Sequence, residues 1–352
     1  MLLGLSACGN GNQGLHESSS SSKDVSDKSG DSKQPETSGK SSESGKASET
    51  SEEGSAESDS ENIPEQSGAL DRDKEYKILF IGNSYTYYNK MPEEIFRSIA
   101  VSAGYKISVS SLTKGGWTLQ KSADEHDELG HQVDSALKSN KYDFVIIQEQ
   151  SLRPATEPAK FYDGVRAMYK KIRENGAAPY LYETWGRKKD HADLKEYGMT
   201  NATMTWKLAG AYTAIGKELG IDVSYAGLAF FDVYNSDLNS IELYNADSTH
   251  PSPAGSYLAA LTLFADIFGY DPEAVGYRPT GISETDAAIL KKAAHDAAFN
   301  DVNIPKGYLF SSETICHEAD YYYTASGIPV SHRQYIYIRF RYGIPFGSLL
   351  PA

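Results

Sequence analysis

The sequence predicts an α/β fold, a three-layer α/β/α sandwich with a central parallel sheet. Short apolar runs bounded by glycine or polar residues recur between Lys77 and Tyr225, the pattern of strands buried on both faces. Longer segments able to form helices separate them, and that alternation favours parallel strands joined by helical crossovers. The rhythm stops near Phe310, where the chain turns Tyr-rich.

Order is expected from about Asp71. Lys77-Ile78-Leu79-Phe80-Ile81-Gly82 reads as the first strand. Met91-Pro92-Glu93-Glu94 opens a helix to about Ala103, with Pro where its missing N–H is not needed and acids at the positive end of the dipole. Lys106–Ser111 reads as a strand, Glu128–Leu137 as a helix and Tyr142–Ile147 as the third strand. A helix over Pro158–Asn175 precedes a strand at Pro179–Glu183, and a long helical stretch within His191–Leu219 precedes a strand at Asp222–Tyr225. Helices over Ser252–Phe268 and Glu284–Ala298 complete the set, the last opening on Ser283 and Asp286 in capping-box spacing. This order suits a flavodoxin-like topology. In the tail, Tyr335–Arg341 alternates as an edge strand or hairpin would, or belongs to a segment the domain does not need.

The 352-residue chain carries a formal net charge of −14. Residues 17–65 hold thirteen acids and five lysines, with Val25 and Ile63 as the only large aliphatic residues. Such a segment cannot bury enough apolar surface to offset its chain entropy and is expected to be a solvated tether. The acidity therefore belongs mainly to the tether and says little about the substrate. No basic stripe offsets it, so no nucleic-acid partner is expected.

The two cysteines, Cys8 and Cys316, are too few for zinc sites built from cysteine pairs. Met1–Ala7 is a short apolar run ending in Leu5-Ser6-Ala7-Cys8. It resembles a bacterial lipobox, which implies a lipidated Cys8, a membrane anchor and a location on the outer face of the cell membrane. The run lacks a preceding Lys or Arg and falls short of the ~7–15 apolar residues of a signal core, so the leader is expected to start upstream of Met1. The expected organisation is a leader remnant at 1–8, a tether at 9–70, a folded domain at 71–305 and a tail at 306–352.

Two constellations carry chemistry. Gly82-Asn83-Ser84-Tyr85-Thr86 follows the first strand, and ligands of open α/β sheets bind beyond the carboxyl ends of strands. The lipase pattern Gly-x-Ser-x-Gly is absent, because Thr86 stands where its second glycine would be. Asp247-Ser248-Thr249-His250 lies just before a late helix. An Asp so spaced can orient an imidazole that takes a proton from a serine.

With Gly115-Gly116-Trp117-Thr118-Leu119 after the second strand and Gln148-Glu149-Gln150-Ser151 after the third, these segments resemble the four blocks of SGNH/GDSL hydrolases, in the same order, over about Lys74–Asn300. The first block looks like that of a bacterial lipoprotein subfamily. The resemblance implies a serine esterase without cofactor or metal, acting on an acylated small molecule or glycan. It makes Ser84 the nucleophile, His250 the general base and Asp247 its orienting acid. The oxyanion donors would be the Ser84 N–H, the Gly116 N–H (Gly115 being one residue off) and a side-chain amide. Gln148 is the implied amide, with Gln150 the alternative, because both sit two apart on an extended segment where the family has Gly-x-Asn-Asp. Asn83 replaces the Asp of GDS-type first blocks.

Trp117, Trp185 and Arg187 are candidate crevice residues, the tryptophans for stacking on a sugar, although core packing explains them as simply. His126, His131 and His191 read as solvated. Two other functions fit parts of the sequence. A non-catalytic glycan- or solute-binding lipoprotein would leave Ser84, Asp247 and His250 unexplained. A flavodoxin-like phosphate binder would use Asn83–Thr86 but leave Asp247 and His250 without a purpose.

Overall fold

The computed structural model describes residues 70–236 and 241–309, with a short antiparallel pair of Tyr322–Tyr323 and Pro329–Val330 beyond them. The chain divides into Met1–Glu61 and Asn62–Ala352; the first unit lies outside the described residues, and so do Cys8, the tether up to residue 69 and Tyr335–Arg341.

Five strands form one parallel sheet: β1 (Glu75–Gly82), β2 (Lys106–Thr113), β3 (Phe144–Ile147), β4 (Ala178–Tyr182) and β5 (Asp222–Ser224), in the order β2-β1-β3-β4-β5. Between β1 and β3 the winding reverses, and the ends of these two neighbours form the switch-point crevice of an open α/β sheet. The helices are α1 (Ser84–Tyr87), α2 (Arg97–Ser102), α3 (Leu119–Ala123), α4 (Glu128–Ser139), α5 (Arg153–Thr156), α6 (Pro158–Asn175), α7 (Ala192–Glu196), α8 (Asn201–Leu219), α9 (Ala226–Asn235), α10 (Pro253–Phe268) and α11 (Glu284–Phe299).

Alternation along β1 builds the two cores. Ile78 and Phe80 face a cluster containing Phe96, Phe230, Phe264 and Phe268 from α9, α10 and the segment before α2. Leu79 and Ile81 face Val133, Val165, Met168 and Tyr212 from α4, α6 and α8. Each such fully buried side chain contributes roughly 1.5–3 kcal/mol. Helix α10 is central: all but Pro253, Ala254 and Asp266 of its sixteen residues are buried.

Three local departures from the sequence reading matter for the site. The helix expected from Met91 starts as a π-helical turn, Met91–Phe96, before α2. It is entered through left-handed Asn89 and Lys90. The stretch within His191–Leu219 is two helices, broken at Gly198, whose φ is +60°. Helix α9 follows β5 directly and was not expected at all.

Candidate active site

Ser84 is the first residue of α1, two residues past the end of β1. The turn is tight. A Cβ on Gly82 would lie 2.5 Å from Thr86 Oγ1 and 2.7 Å from Gln148 Oε1, so only glycine fits. Asn83 caps α1 by accepting the Tyr85 N–H at 3.2 Å, and its Nδ2 donates to the carbonyls of Trp117 (3.1 Å) and Glu149 (3.2 Å). One side chain thus ties the ends of the first three strands together. An Asp, which has no donor when ionised, could not make the last two bonds.

His250 lies in the loop that precedes α10, where Ser252 accepts the Gly255 N–H at 3.1 Å as the helix cap. Its Nε2 is 2.8 Å from Ser84 Oγ and its Nδ1 is 2.7 Å from Asp247 Oδ2. The other carboxylate oxygen accepts the N–H groups of Thr249 (3.0 Å) and His250 (2.9 Å). For Asp247, desolvation acts to raise the pKa, but the hydrogen bonds from His250 and Thr249 together outweigh it and hold the carboxyl below its ordinary value. An ionised carboxylate only accepts. Nδ1 must therefore carry the proton, which leaves Nε2 free to receive that of Ser84. Residues 166 apart in sequence meet here, as the spacing of the blocks implied.

Beyond β2 the Trp117 N–H donates to the Lys114 carbonyl at 3.0 Å, closing a turn with Gly116 at φ +68°. Gly115 and Gly116 are exposed. Their N–H groups, like that of Ser84 at the start of α1, have no hydrogen-bond partner among the described residues.

The third block departs from the expectation for Gln148. This residue is 1% exposed. Its Oε1 accepts the Asn83 N–H at 3.0 Å and the Thr86 hydroxyl at 2.8 Å, and its Nε2 donates to the Glu149 carbonyl. Its oxygen is taken up in supporting the Ser84 turn, and one of its two Nε2 hydrogens is committed to the Glu149 carbonyl. Gln150 differs: its Oε1 accepts the N–H groups of Leu152 and Arg153, both at 3.0 Å, and its Nε2 has no partner among the described residues.

Trp185 and Arg187 are not crevice residues either. Trp185 is 1% exposed and sandwiched between Tyr85 (4.7 Å, 8°) and Phe230 (3.9 Å, 7°), with its Nε1 donating to the Thr249 carbonyl at 3.0 Å. Arg187 is 6% exposed. Its guanidinium donates to Asp193 (2.9 Å), to Ser151 Oγ (3.0 Å) and to the Tyr85 hydroxyl. Trp117 stays partly exposed, with Lys114 and Lys121 ammonium groups 4.4 and 4.7 Å from its ring centre. A sugar stacking there would compete with them.

Two buried carboxylates escaped the sequence reading. Glu149 is 0% exposed and bridges the second and third blocks by accepting the N–H groups of Leu119 (3.2 Å) and Gln150 (2.6 Å). Burial, only partly offset by those bonds, pushes its carboxyl up to about 7. Glu183 accepts the Gly227 N–H at 2.6 Å as the cap of α9, and burial raises its pKa well above the ordinary range. An acid embedded at the end of an otherwise apolar strand was the available signal for both. The fold also gathers Asp271, Glu273 and His295, which sequence spacing did not suggest. Asp271 and Glu273 follow the far end of α10, a helix about 24 Å long at ~1.5 Å per residue, whereas His250 precedes its start.

A parallel sheet with a serine, an imidazole and a carboxylate in hydrogen-bonded line at its switch point defines a hydrolase architecture. The chain belongs to the SGNH hydrolase family. It is 31% identical to a protein of Slackia heliotrinireducens classed as an SGNH hydrolase, in a match covering 55% of this chain and 100% of that one, with a TM-score of 0.48. A DUF4886 family protein from Bacteroides uniformis shares the fold, with a TM-score of 0.57 at 20% identity over 66% of this chain and 98% of that one. An acetylxylan esterase from Geobacillus stearothermophilus is 16% identical over 54% of this chain and 94% of its own, with a TM-score of 0.39. No protein-family model and no curated protein matches the chain.

Proposed function

We propose that this protein is a serine esterase that hydrolyses short acyl esters of a carbohydrate or similar alcohol. The observation that carries the reading is the line Ser84 Oγ–His250 Nε2–Asp247 Oδ2, with separations of 2.8 and 2.7 Å. Ser84 Oγ attacks the ester carbonyl as its proton passes to Nε2, and Asp247 stabilises the imidazolium that forms. The N–H groups of Ser84 and Gly116 and the Gln150 amide receive the oxyanion. Such donors are each worth about 3–4 kcal/mol of transition-state stabilisation. Collapse expels the alcohol, which takes the proton from Nε2. Water then repeats the sequence on the acyl-serine and releases the acid.

A carbohydrate alcohol is supported by Tyr87, which is 39% exposed beside the second-block turn, its hydroxyl 3.3 Å from where a Gly115 Cβ would sit. A phenol presenting a face and a polar tip suits a sugar ring. The lipobox-like Leu5-Ser6-Ala7-Cys8 and the polar stretch after it support a lipid anchor that holds the domain outside the cell membrane.

The reading is tested by exposing the protein and Ser84→Ala to a fluorophosphonate probe, then assaying both on short-chain p-nitrophenyl esters and acetylated xylan oligomers. Labelling and turnover by the parent alone are expected. Equal labelling of the two would remove Ser84 as nucleophile.

A further inference from the structure

Three consecutive residues of the His250 loop each meet a partner from the chain just after Ser84. The Tyr85 hydroxyl lies 2.6 Å from Thr249 Oγ1. The Tyr88 ring stacks on the His250 imidazole at 4.2 Å with only 10° between planes. Asn89 Nδ2 donates to the Pro251 carbonyl at 3.0 Å and to Ser256 Oγ at 2.8 Å, and Ser256 Oγ donates back to the Tyr88 carbonyl at 3.4 Å.

This arrangement depends on an unusual backbone. Asn89 (φ +54°) and Lys90 (φ +51°) are consecutive left-handed residues; asparagine tolerates that region, but for Lys90 it costs roughly 1–2 kcal/mol. None of Tyr88, Asn89 and Lys90 is buried, so core packing does not offset that strain. What the turn achieves is to swing Tyr88 over the imidazole and Asn89 against the residue after it. Strain held where a side chain is aimed at reacting groups is a recurrent property of functional sites, as are π-helical turns such as the one that follows.

We infer that Tyr88 is a positioning residue for His250, that Asn89 anchors it, and that the left-handed pair serves this purpose. The inference deepens the esterase reading and rests on it. The bonds to Ser84 and Asp247 lie along the ring and fix its direction, but they leave it free to rock about that axis. The bond to Ser84 Oγ is also lost once that oxygen is bonded to the acyl carbon, when the imidazole must still pass its proton to the leaving alcohol and then take one from water. The Tyr88 face restrains rocking throughout the cycle, and its π electrons favour the cation that forms on the ring. Tyr85 meets the imidazole edge-on at 5.6 Å and 67°.

The test compares Tyr88→Phe, Tyr88→Leu and Asn89→Gly with the parent and Ser84→Ala, using p-nitrophenyl acetate. It reads kcat, KM, the fluorophosphonate labelling rate and the low-field proton resonance of the His250–Asp247 hydrogen bond. Tyr88→Phe should keep kcat within about threefold. Tyr88→Leu should lower kcat and labelling by about 10- to 100-fold, with KM unchanged and the low-field resonance broadened. Asn89→Gly suits the left-handed turn, so it should keep thermal stability yet lose several-fold in kcat. An active parent, a dead Ser84→Ala and a Tyr88→Leu within twofold of the parent overturn the positioning role and leave the esterase intact. If Tyr88→Leu does not fold, an unchanged kcat in Asn89→Gly overturns it instead. A parent that is neither labelled nor active overturns both readings.

Discussion

Asn83 donates its backbone N–H to Oε1 of Gln148 at 3.0 Å. Through that bond the residue that resembles an oxyanion donor by sequence holds the nucleophile turn in place. Because an N–H must find an acceptor there, the amide orientation of Gln148 is fixed.

The two glutamines should therefore separate on mutation. Gln148→Ala leaves the buried Asn83 N–H and Thr86 hydroxyl without an acceptor, at about 1–3 kcal/mol each, and should lower the melting temperature. Gln150→Ala removes the acceptor of the part-buried Leu152 and Arg153 N–H groups, so it should lower melting less than Gln148→Ala, but it should cost about 10²–10³ in kcat, as loss of an oxyanion donor does. Melting curves and kcat for both variants check this; the reverse pattern would return the donor role to Gln148.

Restoring the GDS-type Asp should harm this protein. Asn83→Asp sets a carboxylate against the carbonyls of Trp117 and Glu149, which now receive N–H bonds at 3.1 and 3.2 Å. The expected loss is on the order of 2–4 kcal/mol, read from denaturant midpoints. A neutral result would mean that the strand ends are held together by other bonds.

Glu149 should make stability fall as pH rises. Its folded carboxyl ionises near about 7, against 4.5 ordinarily. Between those values the folded protein keeps a proton that the unfolded chain has released. Stability contributed by the protonated form is thus full below the lower value and lost through the upper one, on the order of 3 kcal/mol in all. Between about pH 5 and about pH 8, Glu149→Gln should lose less melting temperature than the parent. Parallel pH dependence in the two proteins would show that Glu149 ionises ordinarily.

Arg187 tests the difference between lining a crevice and supporting one. Arg187→Lys keeps a cation but loses the planar fork that reaches Asp193, Ser151 and Tyr85. Breaking a buried charged network costs about 3–5 kcal/mol. At ~2–4 °C per kcal/mol for a domain of this size, Tm should fall by about 10 °C, with KM unchanged. A raised KM at unchanged Tm would return Arg187 to the substrate.

What the sequence disclosed depended on whether its signals were local. Helix α6 was legible at both ends, because Pro158 starts it and Gly176, at φ +90°, stops it. Helix α9 was not: Tyr225 gives it no side-chain cap, and the cap comes from Glu183, 44 residues before the Gly227 N–H that it accepts. The Ser84, Asp247 and His250 blocks were visible as motifs. The choice between Gln148 and Gln150 was not, because strand alternation was extended past Ile147, where β3 ends and the chain turns. Tyr88 and Asn89 gave no signal, since their role depends on a backbone turn that composition does not reveal.

Helix α10, buried along almost its whole length, begins three residues after His250. The proton-handling group is thereby bolted to the part of a protein that opens last. The turns bearing Gly116 and Tyr87 belong to the exposed rim. Adaptation to differently shaped alcohols therefore falls to that rim, while the acid–base machinery keeps its alignment until the whole domain melts.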